Sequence, residues 1–142
     1  MHDTSEPGAS LGYHVDRIAR AKLRPTEKVD LGHVREIAEA IQRDGVFRRP
    51  VLVEWSSFAI LDGHHRFQAA VALGLGFIPA VLIDYGDPRL TLASWTERQF
   101  RPEEVLQAAA SGKLLPPKST RHILTPPIEE MPVPLAELFS PS

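Results

Sequence analysis

The chain has 142 residues, 43% hydrophobic and 24% charged, which is enough for one core and too few for two full-sized domains. Sixteen Lys and Arg stand against 18 Asp and Glu, a net charge of −2, so a strongly basic nucleic-acid coat is excluded, though a local basic patch is not. The absence of cysteine removes disulfides, thiolate metal sites and thiol chemistry, and no signal-peptide pattern or apolar run near the ~20 residues of a membrane span is present. A cytoplasmic protein without a membrane partner is expected.

Residues 1–12 read as a polar leader, 13–88 as the main unit, 89–125 as a small α/β extension and 126–142 as a Pro-rich tail. YHVDRIARAKL (13–23) predicts a strand and then a loop, with Pro25 keeping the residue before it extended. Asp30 is suited to cap a helix whose apolar face is Val34, Ile37, Ala38 and Ile41, and Asp44-Gly45 ends it. Val51–Val53 reads as a buried strand, Trp55–Ser57 as a hairpin turn and Phe58–Leu61 as the return strand. FQAAVALGLG predicts a second helix with Phe67, Ala70, Val71 and Leu73 facing the core, followed by a buried strand over 78–83 and a loop over 84–89.

Beyond these, Leu90–Trp95 alternates as a strand does, and Pro102 with Glu103 and Glu104 opens a third helix that Gly112 closes. Residues 114–122 read as a proline-stiffened polar loop. The segment from Ile123 holds five of the 13 prolines and one short helical stretch, LAELF. This order makes the fold class α+β, a mixed α/β domain with a single sheet, helices and a short C-terminal extension. Trp55 and Trp95 read as packing residues, and His33 as a surface residue.

Asp62-Gly63-His64-His65-Arg66 falls where an apolar strand meets a helix N-terminus. Unbonded amides and the helix dipole favour an anion there, Gly63 permits a tight turn, and two histidines and an arginine add donors, as a polyphosphate requires. A carboxylate such as Asp62 beside phosphates implies a metal ion or a proton acceptor. The plainer alternative is a helix capped by Asp62, with solvated histidines and Arg66 paired to an acid. Adjacent histidines diverge on a helix, so a joint zinc site is not expected. Lys118-Ser119-Thr120-Arg121-His122 places cations, hydroxyls and an imidazole behind Pro116-Pro117, either to wrap an anionic ligand or as a solvated linker. By composition alone Glu27 is an ordinary surface carboxylate.

LRPTEKVD (23–30), IAEAIQRDGVFRRPVLVE (37–54) and ILDGHHRFQAAVALG (60–74) together resemble the ParB/sulfiredoxin superfamily, in which such a strand-to-helix turn binds nucleotide phosphates. Sulfiredoxins carry a catalytic cysteine in this turn, so their chemistry is excluded. The Gly-Glu-Arg-Arg motif and helix-turn-helix of chromosome-partitioning ParB proteins are not visible. With the later PPKSTRH (116–122), the chain is most similar to the free L-serine kinases of this superfamily, over roughly residues 15–125.

The resemblance makes 13–88 the nucleotide-binding core and implies transfer of phosphate from ATP (or ADP), with Mg²⁺, to L-serine. It implies Glu27 as activator of the serine hydroxyl and Asp62 at the reacting phosphate, as a metal ligand or second base. Gly63, His64, His65, Arg66, Lys118, Ser119 and Thr120 would hold the nucleotide, and Arg121, His122 and Trp95 the amino acid. The acceptor hydroxyl and the choice among ATP, ADP and CTP are left open, as is oligomeric state. Nucleic acid is not expected as a partner. The competing reading is a ParB-like nucleotide-binding regulatory module with a DNA or protein partner and no kinase activity.

Overall fold

The computed structural model describes residues 9–10 and 13–139. The predicted leader lies almost wholly outside them. The main sheet has five strands in the order β1-β2-β6-β4-β5: β1 (Ala9–Ser10), β2 (Tyr13–Ala19), β4 (Val51–Glu54), β5 (Ile60–Asp62) and β6 (Phe77–Ile83). Only β4 and β6 pair in parallel, joined through β5 and helix α2 (His64–Ala72); the other pairs are antiparallel.

Both faces of the sheet are covered, which explains the unbroken apolar run in β4. Val51 and Val53 face α1 (Leu31–Asp44) and α2, within a core that includes Val34, Ile41, Phe67 and Ile78. Leu52 points the other way, toward Tyr13, Leu61, Val81 and Val105 of α3 (Pro102–Ser111). The predicted helices fall where expected. Asp30 accepts from the amides of Gly32 (2.9 Å) and His33 (3.3 Å), capping α1. Asp30→Ala is expected to cost about 1 kcal/mol. Urea denaturation checks this, and an unchanged midpoint would remove the cap from the account.

Four readings need correction. The return strand starts at Ile60, because Phe58 takes a left-handed φ of 60° in the turn. Residues 114–122 are not all loop: Thr120–Leu124 is strand β8, antiparallel to β7 (Leu90–Ser94), since the alternating Leu90–Ser94 needs a partner. The sheet is not single, for β7-β8 is one added ladder and β3 (Val46–Phe47) with β9 (Val133–Pro134) another. Trp55 and Trp95 are 55% and 59% exposed, so neither is a packing residue.

LAELF forms a short 3-10 turn over Leu135–Glu137 rather than an α-helix. Leu138 just after it is fully buried in the α1/α2 core, and its carbonyl accepts from Gly76 (2.9 Å) and Phe77 (3.0 Å).

Candidate active site

The edge strand β5 ends at Asp62, and Gly63 turns the chain into α2 with φ 96°. The first helical bond runs from the Phe67 amide to the Gly63 carbonyl, at 2.8 Å, so the amides of residues 64–66 have no intrahelical acceptor. Asp62 does not cap the helix: Gly63 holds the cap position, with no side-chain cap bond. The Asp62 side chain is left exposed at the mouth of two adjoining clefts.

The first cleft, of about 390 Å³, gathers Glu27, Asp62, Gly63, His64, His65, Arg66, Trp95, Lys118 and Thr120. The second, of about 290 Å³, shares Asp62, Arg66, Trp95 and Thr120 with the first and adds Arg121 and His122. Eleven of the twelve sequence-selected residues therefore line one continuous hollow. Ser119 is the exception. Its hydroxyl donates to the Pro116 carbonyl (2.7 Å) and closes the turn, so it serves the loop and not a ligand.

Glu27 is 7% exposed, far from a surface carboxylate. Its segment is sewn between two others: Ile60 donates to the Arg24 carbonyl (2.8 Å), and Lys28 donates to the carbonyl of Leu115 (2.8 Å). Oε2 of Glu27 accepts from the Thr120 hydroxyl and from the Thr120 amide (3.2 Å). Burial raises the Glu27 pKa above its ordinary value, opposed by the Thr120 hydroxyl and the amides of residues 118–120.

The three side chains that open α2 diverge rather than converge. His64 turns inward, where its Nε2 accepts from the Thr26 amide (3.2 Å) and lies 2.9 Å from Thr26 Oγ1. Burial, then nearby cationic groups, push its pKa down to about 3, so the ring is neutral at pH 7 and only its amide is left for an anion. His65 Nε2 accepts from the Asp30 amide (3.1 Å), and its ring meets His33 edge-on at 4.8 Å. Burial lowers its pKa as well. Arg66 reaches back to the carbonyls of Arg49 (Nε, 3.2 Å) and Pro50 (Nη2, 3.0 Å), with no acid paired to it among the described residues.

In the second cleft the Arg121 guanidinium stacks over Trp95 at 4.4 Å. His122 Nε2 is 2.7 Å from the Tyr85 hydroxyl, and burial brings its pKa down to about 4. The Arg and Lys side chains of the hollow are Arg49, Arg66, Lys118 and Arg121, and its carboxylates are Glu27 and Asp62. Sequence reasoning missed Thr26, Tyr85 and Leu115, which set His64, His122 and the Glu27 backbone. Thr26 lies inside the quoted segment beside Glu27, but Tyr85 and Leu115 carry no signal of their own.

A small mixed α/β domain whose strand-to-helix turn opens on a polar hollow is thus defined by the fold. The chain belongs to the ParB N-terminal domain family, which it matches over residues 4–98. It is 39% identical over 83 residues to a ParB-like protein of Sulfolobus acidocaldarius, covering 58% of this chain and 41% of the relative. It is 35% identical over 78 residues to an ATP-dependent L-serine kinase of Staphylothermus marinus, covering 52% and 31%. This chain thus spans less than half the length of these relatives. Among solved structures, a free serine kinase in complex with AMP superposes with a TM-score of 0.79 at 17% identity, over 97% of this chain and 98% of the other, which establishes the shared fold.

Proposed function

We propose that the protein is a free-serine kinase, transferring the terminal phosphoryl group of ATP or ADP to the hydroxyl of L-serine to give O-phospho-L-serine. The observation that carries this reading is the buried Glu27 carboxylate, which opens on the same cleft as Asp62 and the amides that begin α2. Phosphoryl transfer needs positioning and charge neutralisation, and an alcohol nucleophile needs a nearby proton acceptor. The identity to relatives named ATP-dependent and ADP-dependent L-serine kinases supports the choice of substrate and donor.

In this reading the amides of His64, His65 and Arg66 hold the nucleotide phosphates, with the Arg66 and Lys118 cations beside them. Glu27 takes the proton of the serine hydroxyl as its oxygen bonds to phosphorus and the bond to the shorter nucleotide breaks. Arg121 or Lys118 meets the serine carboxylate, and Trp95 walls the pocket. Among the described residues no cluster of three metal-ligating side chains exists. One exposed carboxylate at the mouth, Asp62, suits Mg²⁺, which is commonly held by one or two carboxylates together with phosphate oxygens and water. When bound it would neutralise charge on the phosphates.

Incubation with L-serine, Mg²⁺ and, separately, ATP, ADP and CTP, read by phosphorus NMR, tests the proposal. A phosphomonoester signal matching O-phosphoserine is expected and names the donor. Nucleotide-induced stabilisation without phosphoserine would reject the kinase in favour of a ParB-like nucleotide-binding module. Arg66→Ala is expected to weaken nucleotide binding about tenfold by calorimetry. It should also lower thermal stability, because the carbonyls of Arg49 and Pro50 lose their donors. Unchanged affinity would move the phosphates away from α2.

A further inference from the structure

We propose that Thr120 is a positioning residue for Glu27: its hydroxyl and amide hold one carboxylate oxygen and leave the other to the acceptor alcohol. This rests on the kinase reading above. Thr120 and Glu27 are 5% and 7% exposed, and the two Thr120 donors meet the same atom, Oε2. A hydroxyl has one proton to donate. With that proton on Glu27, the Thr120 side chain has none for a nucleotide phosphate, the role its motif suggests.

Thr120 is itself held from several sides. It opens β8 and pairs in register with Ser94 of β7. The preceding carbonyl, of Ser119, accepts from the Trp95 amide (3.1 Å) and the Ser94 hydroxyl (3.3 Å). Before it, Lys118 adopts a left-handed φ of 52°, and the Ser119 hydroxyl ties the turn to Pro116. Left-handed backbone at a non-glycine residue persists where its surroundings over-determine it. Here the result is a turn that presents both the amide (3.2 Å) and the hydroxyl of Thr120 to the Glu27 carboxylate. The PPKST segment is therefore a cradle for the base.

Thr120→Val and Thr120→Ser separate positioning from phosphate binding. The other charged or titratable groups on the cleft are His33 of α1, Asp62 of β5, His64, His65 and Arg66 of α2, and Lys118 of the turn, and neither variant alters them. Thr120→Val is expected to lower kcat about 10- to 100-fold at unchanged calorimetric affinity for ADP, while Thr120→Ser stays within about threefold of wild type. The lost hydroxyl favoured the ionised carboxylate, so the acid limb of kcat should move to higher pH in Thr120→Val. Carbon-13 titration of the Glu27 carboxyl should show the same upward shift without relying on turnover.

An unmoved titration midpoint, an equal loss in Thr120→Ser, or a fall in ADP affinity matching the fall in kcat would overturn the proposal. If Thr120→Val does not fold, Thr120→Ala gives the same comparison. If the wild-type protein makes no phosphoserine, the kinase reading fails separately, and the carboxyl titration still decides whether Thr120 sets the Glu27 carboxylate.

Discussion

Glu27→Gln is expected to lower phosphoryl transfer about 100-fold or more, with nucleotide affinity nearly unchanged. The amide is close to the carboxylate in shape and can still accept from the Thr120 amide, but it cannot take a proton from an alcohol. Glu27 lies on the loop before α1, whereas the amides proposed to hold the phosphates belong to α2, so the substitution leaves the latter in place. Single-turnover kinetics and calorimetry on the same preparation separate the two effects. A variant with near-normal turnover would remove Glu27 from the mechanism.

The pH dependence follows from the same geometry. Burial raises the Glu27 pKa, and the base must be ionised to act. Wild-type kcat should therefore climb with pH along an acid limb centred above the ordinary carboxylate value, and Glu27→Gln should abolish that limb. A limb at the ordinary value would mean that the group titrating is not the buried Glu27 carboxylate.

Much of this site was legible in the sequence, because its parts have local causes. The Asp30 cap and the left-handed Gly63 follow from short-range chemistry. The Val51–Val53 run of the interior strand β4 is apolar because both faces of the sheet are covered. What local pattern cannot supply is direction and distant pairing. His64 and His65 are neighbours, yet one is buried against Thr26 and the other meets Asp30 at the rim. Their motif predicted two donors to an anion, and instead each ring accepts from a backbone amide, His64 from Thr26 and His65 from Asp30.

Thr120 and Glu27 are 93 residues apart and form a pair only because β8 lies beside β7 and because Leu115 clasps the Glu27 segment. The exposed tryptophans mislead for a related reason. Composition assigns a large aromatic ring to the core, whereas Trp95 is stacked under Arg121 at the junction of two clefts.

Gly63→Ala should destabilise the protein by about 2–5 kcal/mol, adding backbone strain at positive φ to overpacking. A Cβ at Gly63 would lie 2.8 Å from Val51 Cγ1 and 2.8 Å from Arg66 Nη2. Val51 is fully buried in β4 and cannot yield, while Arg66 can move only by giving up its bond to the Pro50 carbonyl. Gly112→Ala is the matched control. Gly112 has a similar left-handed conformation, φ 75°, but a Cβ there meets nothing within 4 Å, so it bears the strain of about 1 kcal/mol alone.

The difference between the two variants in urea denaturation isolates the close approach of the turn to the sheet. Their difference in nucleotide affinity isolates the α2 amides. Gly63→Ala should lose binding at least about tenfold, because the amides of residues 64–66 turn with the distorted helix start, and Gly112→Ala should keep it. Equal stability and equal affinity in the two variants would mean that the strand-to-helix turn neither needs its tight geometry nor carries the phosphates.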